Sequence, residues 1–227
     1  MTPTVHPIEA ESYRILGERI DLSGMGPGTA AVIGRIVHAT ADLEFADMVI
    51  TDETSVAAGI EAIRAGAPII CDVQMVRAGI TAVDTVCLLG DATAGPNGTP
   101  TRSANAITLA AGRWPDGAIL VIGCAPTALF EVVRLVEQGA FRPALVIGLP
   151  VGFVGAAESK EALRRLAALQ PHGQHLATIS NIGDKGGSAA AAAACNALVR
   201  LARTTGTGQL SPPSSDTPTP EPDQDHV

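Results

Sequence analysis

The residues best equipped for chemistry in this sequence are Arg35, His38 and Asp42. Spacings of three and four residues place side chains on one side of a helix, so these three are predicted to project together. Arginine is a fixed cation, histidine as a residue type exchanges a proton near neutral pH, and a carboxylate can orient an imidazole. Such a trio can bind an anionic molecule and transfer a proton to it. Spacing alone leaves open the alternative of a solvated helix face with an ordinary surface histidine.

The elements that must position this trio begin with the stretch 34–42 itself. Its apolar residues recur at helical spacing and predict a side that faces a core. They are Ile33, Ile36, Val37 and Thr40. An amphipathic helix containing Ser12 is predicted over 7–20, and the breaker GMGPG at 24–28 separates the two helices.

Downstream, short β-rich runs alternate with helical runs. The predicted strands are 48–51, 68–73, 86–90, 118–123, 144–148 and 175–180. The predicted helical runs are 55–64, 75–78, 103–111, 127–138, 157–168 and 188–203. Apolar strands that are bounded by glycines and alternate with helices predict a three-layer α/β/α fold with a mainly parallel sheet of five or six strands.

Composition divides the chain into a single α/β domain over 1–203 and a tail over 204–227. Hydrophobic residues make up 46% of the chain and aromatic residues only 3%, which indicates a core of Ala, Val, Ile and Leu. The tail holds five prolines and four acidic residues but no lysine or arginine. It is predicted to be disordered, because it cannot bury enough apolar surface to offset the entropy of ordering.

Charge, hydropathy and cysteine content indicate which partners, which cellular location and which metal sites to expect. The net charge of −8 and the lack of a Lys/Arg cluster argue against nucleic acid. No apolar run is long enough to span a membrane and no signal-peptide pattern opens the sequence, so a cytoplasmic location is expected. Cys71, Cys87, Cys124 and Cys195 are widely spaced and show no zinc-binding pattern, so we expect buried, reduced thiols and no metal site.

In an open parallel sheet, ligands bind outside the carboxyl ends of the strands, which selects the loops that follow each strand. GDKGGS at 183–188 opens the last helix and offers Lys185 and the amide of Gly186 to an anion; a turn needed for close packing is the alternative. Arg102, at the start of a helix after a glycine-rich loop, suits a carboxylate, with a surface ion pair as the alternative.

Two other stretches are weaker candidates. Cys124 directly follows a predicted strand, but nothing places a base beside it, so a small packing residue is favoured over a nucleophile. The glycines of 148–155 lack the dinucleotide-binding spacing and are better explained by a loop against a bulky flat ligand, on which Phe153 could stack.

Taken together, these motifs resemble the precorrin-8X methylmutases of cobalamin biosynthesis. The resemblance covers about 12–201 and is carried, in family order, by HATAD (38–42), GAPIICD (66–72), MVRAGI (75–80), TRSA (101–104), IGCAPTALF (122–130), PALVIGLPVGFVGAAESK (143–160) and KGGSAAAAAACNAL (185–198). The sequence departs from the family pattern at Cys124, where asparagine is expected, and at Asp184, where arginine is common.

The resemblance implies an α/β homodimer that binds a carboxylated tetrapyrrole and needs no organic cofactor. It implies movement of a methyl group from C-11 to C-12 of precorrin-8X, or of its cobalt form, by a proton-assisted 1,5-sigmatropic shift that gives hydrogenobyrinic acid or cobyrinic acid. His38 matches the catalytic histidine of the family. Ser12 and Arg35 match its substrate-contacting serine and arginine, and Arg102 matches the arginine of its TRSA motif.

The sequence leaves two alternatives to a methylmutase: a corrinoid carrier or sensor, and a cysteine-dependent hydrolase. A non-catalytic corrinoid carrier or sensor would keep the binding loops but would have no use for a proton donor. A cysteine-dependent hydrolase would use Cys124 and would tolerate loss of His38. Mixing the protein with precorrin-8X and following the visible spectrum separates the first two, because a carrier would bind the ligand without changing it.

Overall fold

The computed structural model of this chain describes residues 6–169 and 173–204. The helices in these ranges are α1 (Pro7–Arg19), α2 (Pro27–Thr40), α3 (Phe45–Met48), α4 (Glu53–Arg64), α5 (Gln74–Gly79), α6 (Arg102–Arg113), α7 (Pro126–Glu137), α8 (Ala156–Leu169) and α9 (Ser188–Thr204). The strands are β1 (Val49–Ile50), β2 (Ile69–Cys71), β3 (Ile119–Ile122), β4 (Leu145–Gly148) and β5 (Thr178–Asn181).

The strands form one five-stranded sheet in the order β1-β5-β4-β3-β2. β2, β3, β4 and β5 run parallel, and the short β1 pairs antiparallel with β5, so that Val49 lies opposite Asn181. The prediction of a mainly parallel sheet is therefore confirmed. The edge strand β1 has two residues and adds little pairing.

Two apolar layers cover the sheet, as the predicted three-layer architecture requires. Alternation along β3 separates them: Ile119 and Val121 pack in the layer of α2, α4 and α9, whereas Leu120 and Ile122 pack in the layer of α6, α7 and α8. Side chains alternate across a strand, so a strand buried on both faces favours apolar residues throughout. This explains why β2, β3 and β4 read as apolar runs, whereas β5 also buries the polar residues Thr178, Ser180 and Asn181.

The predicted strand at 86–90 is wrong. Val86 makes only an isolated parallel bridge to Ile70, and the chain then turns into a 3-10 helix at Leu88–Gly90. Leu88 is buried in the core layer that contains Ala106 of α6. An apolar run of this length fits a strand or a buried turn equally well. Here the packing of Leu88 against α6 favours the turn.

The other boundaries lie close to the predictions. α9 ends at Thr204, so this one residue of the predicted tail is helical, and the remainder of that tail lies outside the described residues. Within the ranges 6–169 and 173–204, no helix combines the length and the apolar character needed to cross a membrane.

Candidate active site

α2 presents His38 and Arg35 on the side that faces away from the core. The predicted core side is confirmed for Ile33, Ile36 and Val37, which are buried, whereas Thr40 at the end of the helix is only half-buried. Arg35 and His38 are also half-buried, because α1 lies across them. α1 has no fully buried residue; its Leu16 packs, partly buried, against the core layer of α2, and polar and aromatic side chains make its contacts with Arg35 and His38.

The His38 imidazole is fixed by two neighbours on α1. Its Nδ1 lies 2.9 Å from the hydroxyl oxygen of Ser12, and the Tyr13 ring stacks on it at a centroid distance of 4.8 Å and an interplanar angle of 4°. The hydrogen bond engages Nδ1, which leaves Nε2 as the ring nitrogen for proton exchange with a ligand. The stack fixes the ring plane, and such aromatic pairs contribute roughly 0.5–1.5 kcal/mol.

Asp42 does not orient His38 as the spacing suggested. α2 ends at Thr40, and Ala41 takes a left-handed conformation with φ of 53°, so the chain leaves the helix before Asp42. The Asp42 carboxylate instead forms an ion pair of 2.6 Å with Lys185. Ser12, which lies 26 positions before His38 in the sequence, occupies the position beside Nδ1 that was expected for Asp42.

The Arg35 guanidinium lies in a polar cluster beside His38. Its Nη1 donates to the Glu9 carboxylate at 3.0 Å and to the Tyr13 hydroxyl at 3.3 Å. Burial lowers the pKa of Arg35, but the Tyr13 hydroxyl and the Glu9 carboxylate outweigh burial and raise it. A permanent cation therefore lies next to the imidazole, as the sequence predicted.

Lys185 and Gly186 belong to the loop before α9. Besides Asp42, Lys185 pairs with Glu44 at 2.8 Å, and the hydrogen bond to Asp42, followed by that to Glu44, raises its pKa. A Cβ on Gly186 would lie 2.3 Å from the carbonyl oxygen of Leu149. Close packing thus requires glycine at 186, and anion binding by this loop stays a prediction.

The loops at the carboxyl ends of the strands contact one another, which builds a continuous edge. The Gly187 amide donates to Leu149 at 2.8 Å, and the Gly152 amide donates to Asp184 at 3.1 Å. These bonds join the loop after β4 to the loop after β5. The post-strand loops selected from the sequence are therefore neighbours in space.

Asp72, at the end of β2, anchors the loop after β3. Its fully buried carboxylate accepts the amides of Gly123, Cys124 and Ala125 at 3.1, 2.8 and 2.8 Å. Burial raises the pKa of this carboxyl, although the three amide donors oppose the rise. The start of α7 is thereby fixed to the neighbouring strand.

Lys160, on α8, anchors the loop after β5 through hydrogen bonds. Its ammonium is fully buried and donates to the Asn181 side-chain oxygen at 3.1 Å and to the Lys185 carbonyl at 2.6 Å. The Asn181 amide donates to that same carbonyl at 2.8 Å. Burial, with the nearby charge of Arg164, lowers the pKa of Lys160 to about 8.

This lowered pKa gives a pH dependence of stability. The ordinary pKa of lysine is 10.5, so between 8 and 10.5 the unfolded chain holds the Lys160 proton more tightly than the folded protein does. The cost of burying the charge is therefore present in full below pH 8 and is relieved as the pH rises. From about pH 7.5 to about pH 9, the free energy of unfolding should rise by about 1 kcal/mol relative to Lys160→Met. Urea denaturation of both proteins measures this difference, and parallel pH profiles would contradict it.

Arg102 lies on the other side of the sheet from His38. It opens α6, where the Thr101 hydroxyl caps the helix and bonds the Thr127 hydroxyl of α7 at 2.8 Å. Because α6 packs in one layer and α2 in the other, the described contacts within this chain do not bring Arg102 to His38. The Arg102 side chain is exposed at the sheet edge, as predicted.

Comparisons with known proteins decide the family. A sequence model of the precorrin-8X methylmutase family matches residues 7–201. The chain belongs to the precorrin-8X methylmutase family. It is therefore an isomerase of cobalamin biosynthesis that shifts a methyl group within its substrate, and the comparisons give no support to a carrier or sensor.

Individual relatives agree with this assignment. Cobalt-precorrin-8 methylmutase of Methanocaldococcus jannaschii is 40% identical over 193 residues, which cover 83% of this chain and 86% of that protein. Precorrin-8X methylmutase of a Sinorhizobium species is 39% identical over 206 residues, covering 85% and 93%. The crystal structure of precorrin-8X methylmutase from Thermus thermophilus matches with a TM-score of 0.74 at 37% identity, covering 89% of this chain and 100% of that one.

The candidate site also contains residues that the sequence did not point to. Glu9 and Tyr13 contact Arg35 and His38 but lie on another helix, so no local spacing signals them. Asp72 and Lys160 each end one of the sequence motifs, and both are charged residues within or beside an apolar stretch. That pattern could have indicated a buried charge with a structural role.

Cys124 has no features of a nucleophile in this methylmutase. Its backbone amide is engaged by Asp72. Burial raises the pKa of the Cys124 thiol, and the Asp72 charge raises it further, which disfavours the reactive thiolate. These observations support the sequence-based preference for a packing role.

Proposed function

We propose that this protein moves a methyl group from C-11 to C-12 of precorrin-8X, or of its cobalt form, giving hydrogenobyrinic acid or cobyrinic acid. His38 is the proposed catalytic residue: its imidazole transfers a proton to the bound macrocycle, which alters the conjugation across which the methyl group migrates. The proton returns to the imidazole after the migration, so substrate and product are isomers. A 1,5-sigmatropic shift has no net oxidation and uses no nucleophile, so the proposed chemistry asks for no organic cofactor or metal. Positioning and proton transfer are what the protein must supply.

The observation that carries this proposal is the fixed imidazole beside a fixed cation. Ser12 and Tyr13 hold the His38 ring from two directions, and Tyr13 also accepts a hydrogen bond from Arg35. A histidine held in this way is suited to proton transfer at a defined atom of a ligand, and the guanidinium beside it suits a carboxylate.

Other groups are proposed to hold the substrate. Arg35 and Arg102 bind acetate or propionate carboxylates of the macrocycle, Ser12 contacts the substrate beside His38, and Lys185 with the amide of Gly186 offers a further anion contact. The Lys185 ammonium would have to exchange Asp42 or Glu44 for substrate, since both acids pair with it in this structure. Its contribution to binding is therefore expected to be smaller than that of either arginine.

The direct test is conversion of precorrin-8X by the purified full chain. The visible spectrum of the macrocycle changes when the methyl group migrates, so a single-turnover experiment with excess enzyme reports the reaction. Appearance of the spectrum of hydrogenobyrinic acid supports the proposal. A ligand that binds but keeps its spectrum would overturn it, and repeating the experiment with the cobalt form identifies the preferred substrate.

Arg35→Ala and Arg102→Ala should mainly weaken substrate binding. Each change removes a charged hydrogen-bond donor to a carboxylate, and such bonds contribute about 1.5–3 kcal/mol, so the KM should rise roughly tenfold or more. The kcat should change less than the KM, since neither group transfers the proton. Steady-state kinetics separates the two constants. Arg113→Ala, which changes an exposed arginine at the other end of α6, is the matched control and should leave both constants unchanged.

We also propose a homodimer. The loop between β4 and α8 carries Phe153 and Val154, which are 95% and 88% exposed, and exposed apolar side chains of this size mark a surface that another molecule covers. A second copy would also offer a way to bring an Arg102 near a His38 of the other subunit, which the fold of one chain keeps in opposite layers.

Sedimentation velocity tests the dimer. The unchanged chain should sediment as a dimer, and Phe153→Ser combined with Val154→Ser should shift it toward the monomer, because the change removes apolar area that is buried only by association. If the double variant stays dimeric and only its KM rises, the loop contacts the substrate rather than the partner. If the unchanged chain is monomeric at the concentrations used for catalysis, the dimer is wrong.

A cytoplasmic location is proposed as well. Cys71, Cys87, Cys124 and Cys195 are all free thiols in this structure. Cys71 and Cys195 are buried, whereas Cys87 and Cys124 are only half-buried and so depart from the expected burial. Free thiols in each of these positions fit a reducing compartment, where disulfides are rare.

A further inference from the structure

One carboxylate in this structure lies between two arginines that come from different helices. Glu9 Oε1 is 3.0 Å from Nη1 of Arg35 and 3.4 Å from Nη1 of Arg200. Arg35 belongs to α2, Arg200 belongs to α9, and Glu9 belongs to α1. Arg200 lies outside the motifs HATAD and TRSA, and α9 brings it to the Arg35 cluster through Glu9.

The two arginines belong to the rigid part of the molecule. α2 and α9 share one core layer, in which Ile36 and Leu198 are fully or almost fully buried. The packing of α2 and α9 therefore fixes the backbone positions from which Arg35 and Arg200 extend toward α1. α1, in contrast, has no buried residue: its Leu16 packs against the core layer but is only partly buried, and its apolar Ile8 is 75% exposed. The helices that carry the two arginines are thus more firmly packed than α1, which carries the carboxylate, while the Arg200 side chain itself is 57% exposed and open to a ligand.

Two converging guanidinium groups form a recognition site for a carboxylate. Guanidinium presents several N–H donors in a fixed plane and remains charged at every working pH, which makes arginine the preferred partner for carboxylates. The chain as a whole carries a net charge of −8, so an anionic ligand must be bound by local clusters of cations. The cluster of Arg35 and Arg200 lies beside His38, since Tyr13 contacts both Arg35 and the imidazole.

We infer that Arg35 and Arg200 together bind one carboxylate side chain of the tetrapyrrole, and that Glu9 holds the place of that carboxylate in this structure. The inference rests on the proposed function. Substrate binding exchanges one carboxylate for another at the same two cations, without any covalent change. Arg200 is then a specificity-determining residue, because it requires an acidic side chain at this position of the macrocycle.

Two substitutions have opposite expected effects. Glu9→Gln removes the competing charge but keeps the shape of the side chain, so a tetrapyrrole carboxylate should bind about threefold more tightly. Arg200→Gln removes one of the two cations and should weaken binding about tenfold. The same two changes should appear in the KM of the reaction while the kcat changes little.

A structural role for Arg200 makes a different prediction. If Arg200 only holds α1 in place through Glu9, its removal matters solely because that tether is lost. In a Glu9→Gln background the ion pair is already lost, so Arg200→Gln would then have an effect much smaller than the tenfold loss expected of a substrate contact. If Arg200 binds the substrate, Arg200→Gln should still weaken binding about tenfold in the Glu9→Gln background. The double-mutant comparison therefore separates the two roles.

The experiment is an absorbance titration of hydrogenobyrinic acid into the full chain and its variants. The set consists of the unchanged protein, Glu9→Gln, Arg200→Gln, the double variant and Arg203→Gln, which is the matched control on the same helix. Thermal unfolding followed by circular dichroism identifies any variant that does not fold. We expect the affinity of Arg203→Gln to equal that of the unchanged protein.

The outcomes distinguish this inference from the proposed function. If the unchanged protein does not bind hydrogenobyrinic acid, both fail. If it binds the ligand and Arg200→Gln binds it equally well, only the inference fails. The inference also fails if Arg200→Gln has no effect in the Glu9→Gln background, or if Glu9→Gln binds the ligand more weakly than the unchanged protein does.

Discussion

His38→Ala is expected to lower the rate of methyl migration by roughly 10²–10⁴-fold, the usual contribution of a positioned general acid or base. The substitution removes the proton-transferring ring but leaves Arg35 with its partners Glu9 and Tyr13. The affinity for the tetrapyrrole should therefore stay within a few-fold of the unchanged value. Single-turnover absorbance spectroscopy with precorrin-8X measures the rate, and titration of hydrogenobyrinic acid measures the affinity.

Ser12→Ala is the graded control for this experiment. It keeps the imidazole and its stack on Tyr13 but removes the hydrogen bond to Nδ1, so the rate should fall less than in His38→Ala. A His38→Ala protein that turns over at the normal rate would contradict the proposed mechanism. An equal loss of binding and rate would instead assign His38 to substrate binding.

Asp72→Ala is expected to lower the free energy of unfolding by about 3–5 kcal/mol. The carboxylate accepts three buried or half-buried amides at the start of α7, and each amide left without an acceptor costs about 1–3 kcal/mol. Part of this loss is offset because the buried charge disappears as well. Urea denaturation measures the change, and the midpoint should fall while the slope is unchanged.

Two substitutions serve as controls for Asp72→Ala. Asp72→Asn keeps one oxygen acceptor and the side-chain shape, so its loss of stability should be intermediate. Asp91→Ala removes an exposed acid near the same end of the molecule and should change stability by less than about 0.5 kcal/mol. If Asp72→Ala is as stable as Asp91→Ala, the three amides find other partners and the anchoring role is wrong.

The sequence predicted most of the helices and strands correctly, because the residue patterns that indicate them are local. The side of α2 that faces the core follows from the spacing of Ile33, Ile36 and Val37, and the buried strands follow from continuous apolar runs. It was insufficient at 86–90, where an apolar run packs against α6 as a turn. A run of five residues contains no periodicity that could separate these two outcomes.

For the site, the sequence by itself determined that Arg35 and His38 share one side of a helix, because 3.6 residues per turn fix that arrangement. Only the tertiary structure decided their partners. Ser12 lies at His38 Nδ1, Glu9 lies at Arg35, and Asp42 pairs with Lys185, from which it is separated by 143 positions along the chain. Helical periodicity ends with the helix at Thr40, and beyond that point the position of each charge depends on how whole elements pack, which no local spacing records.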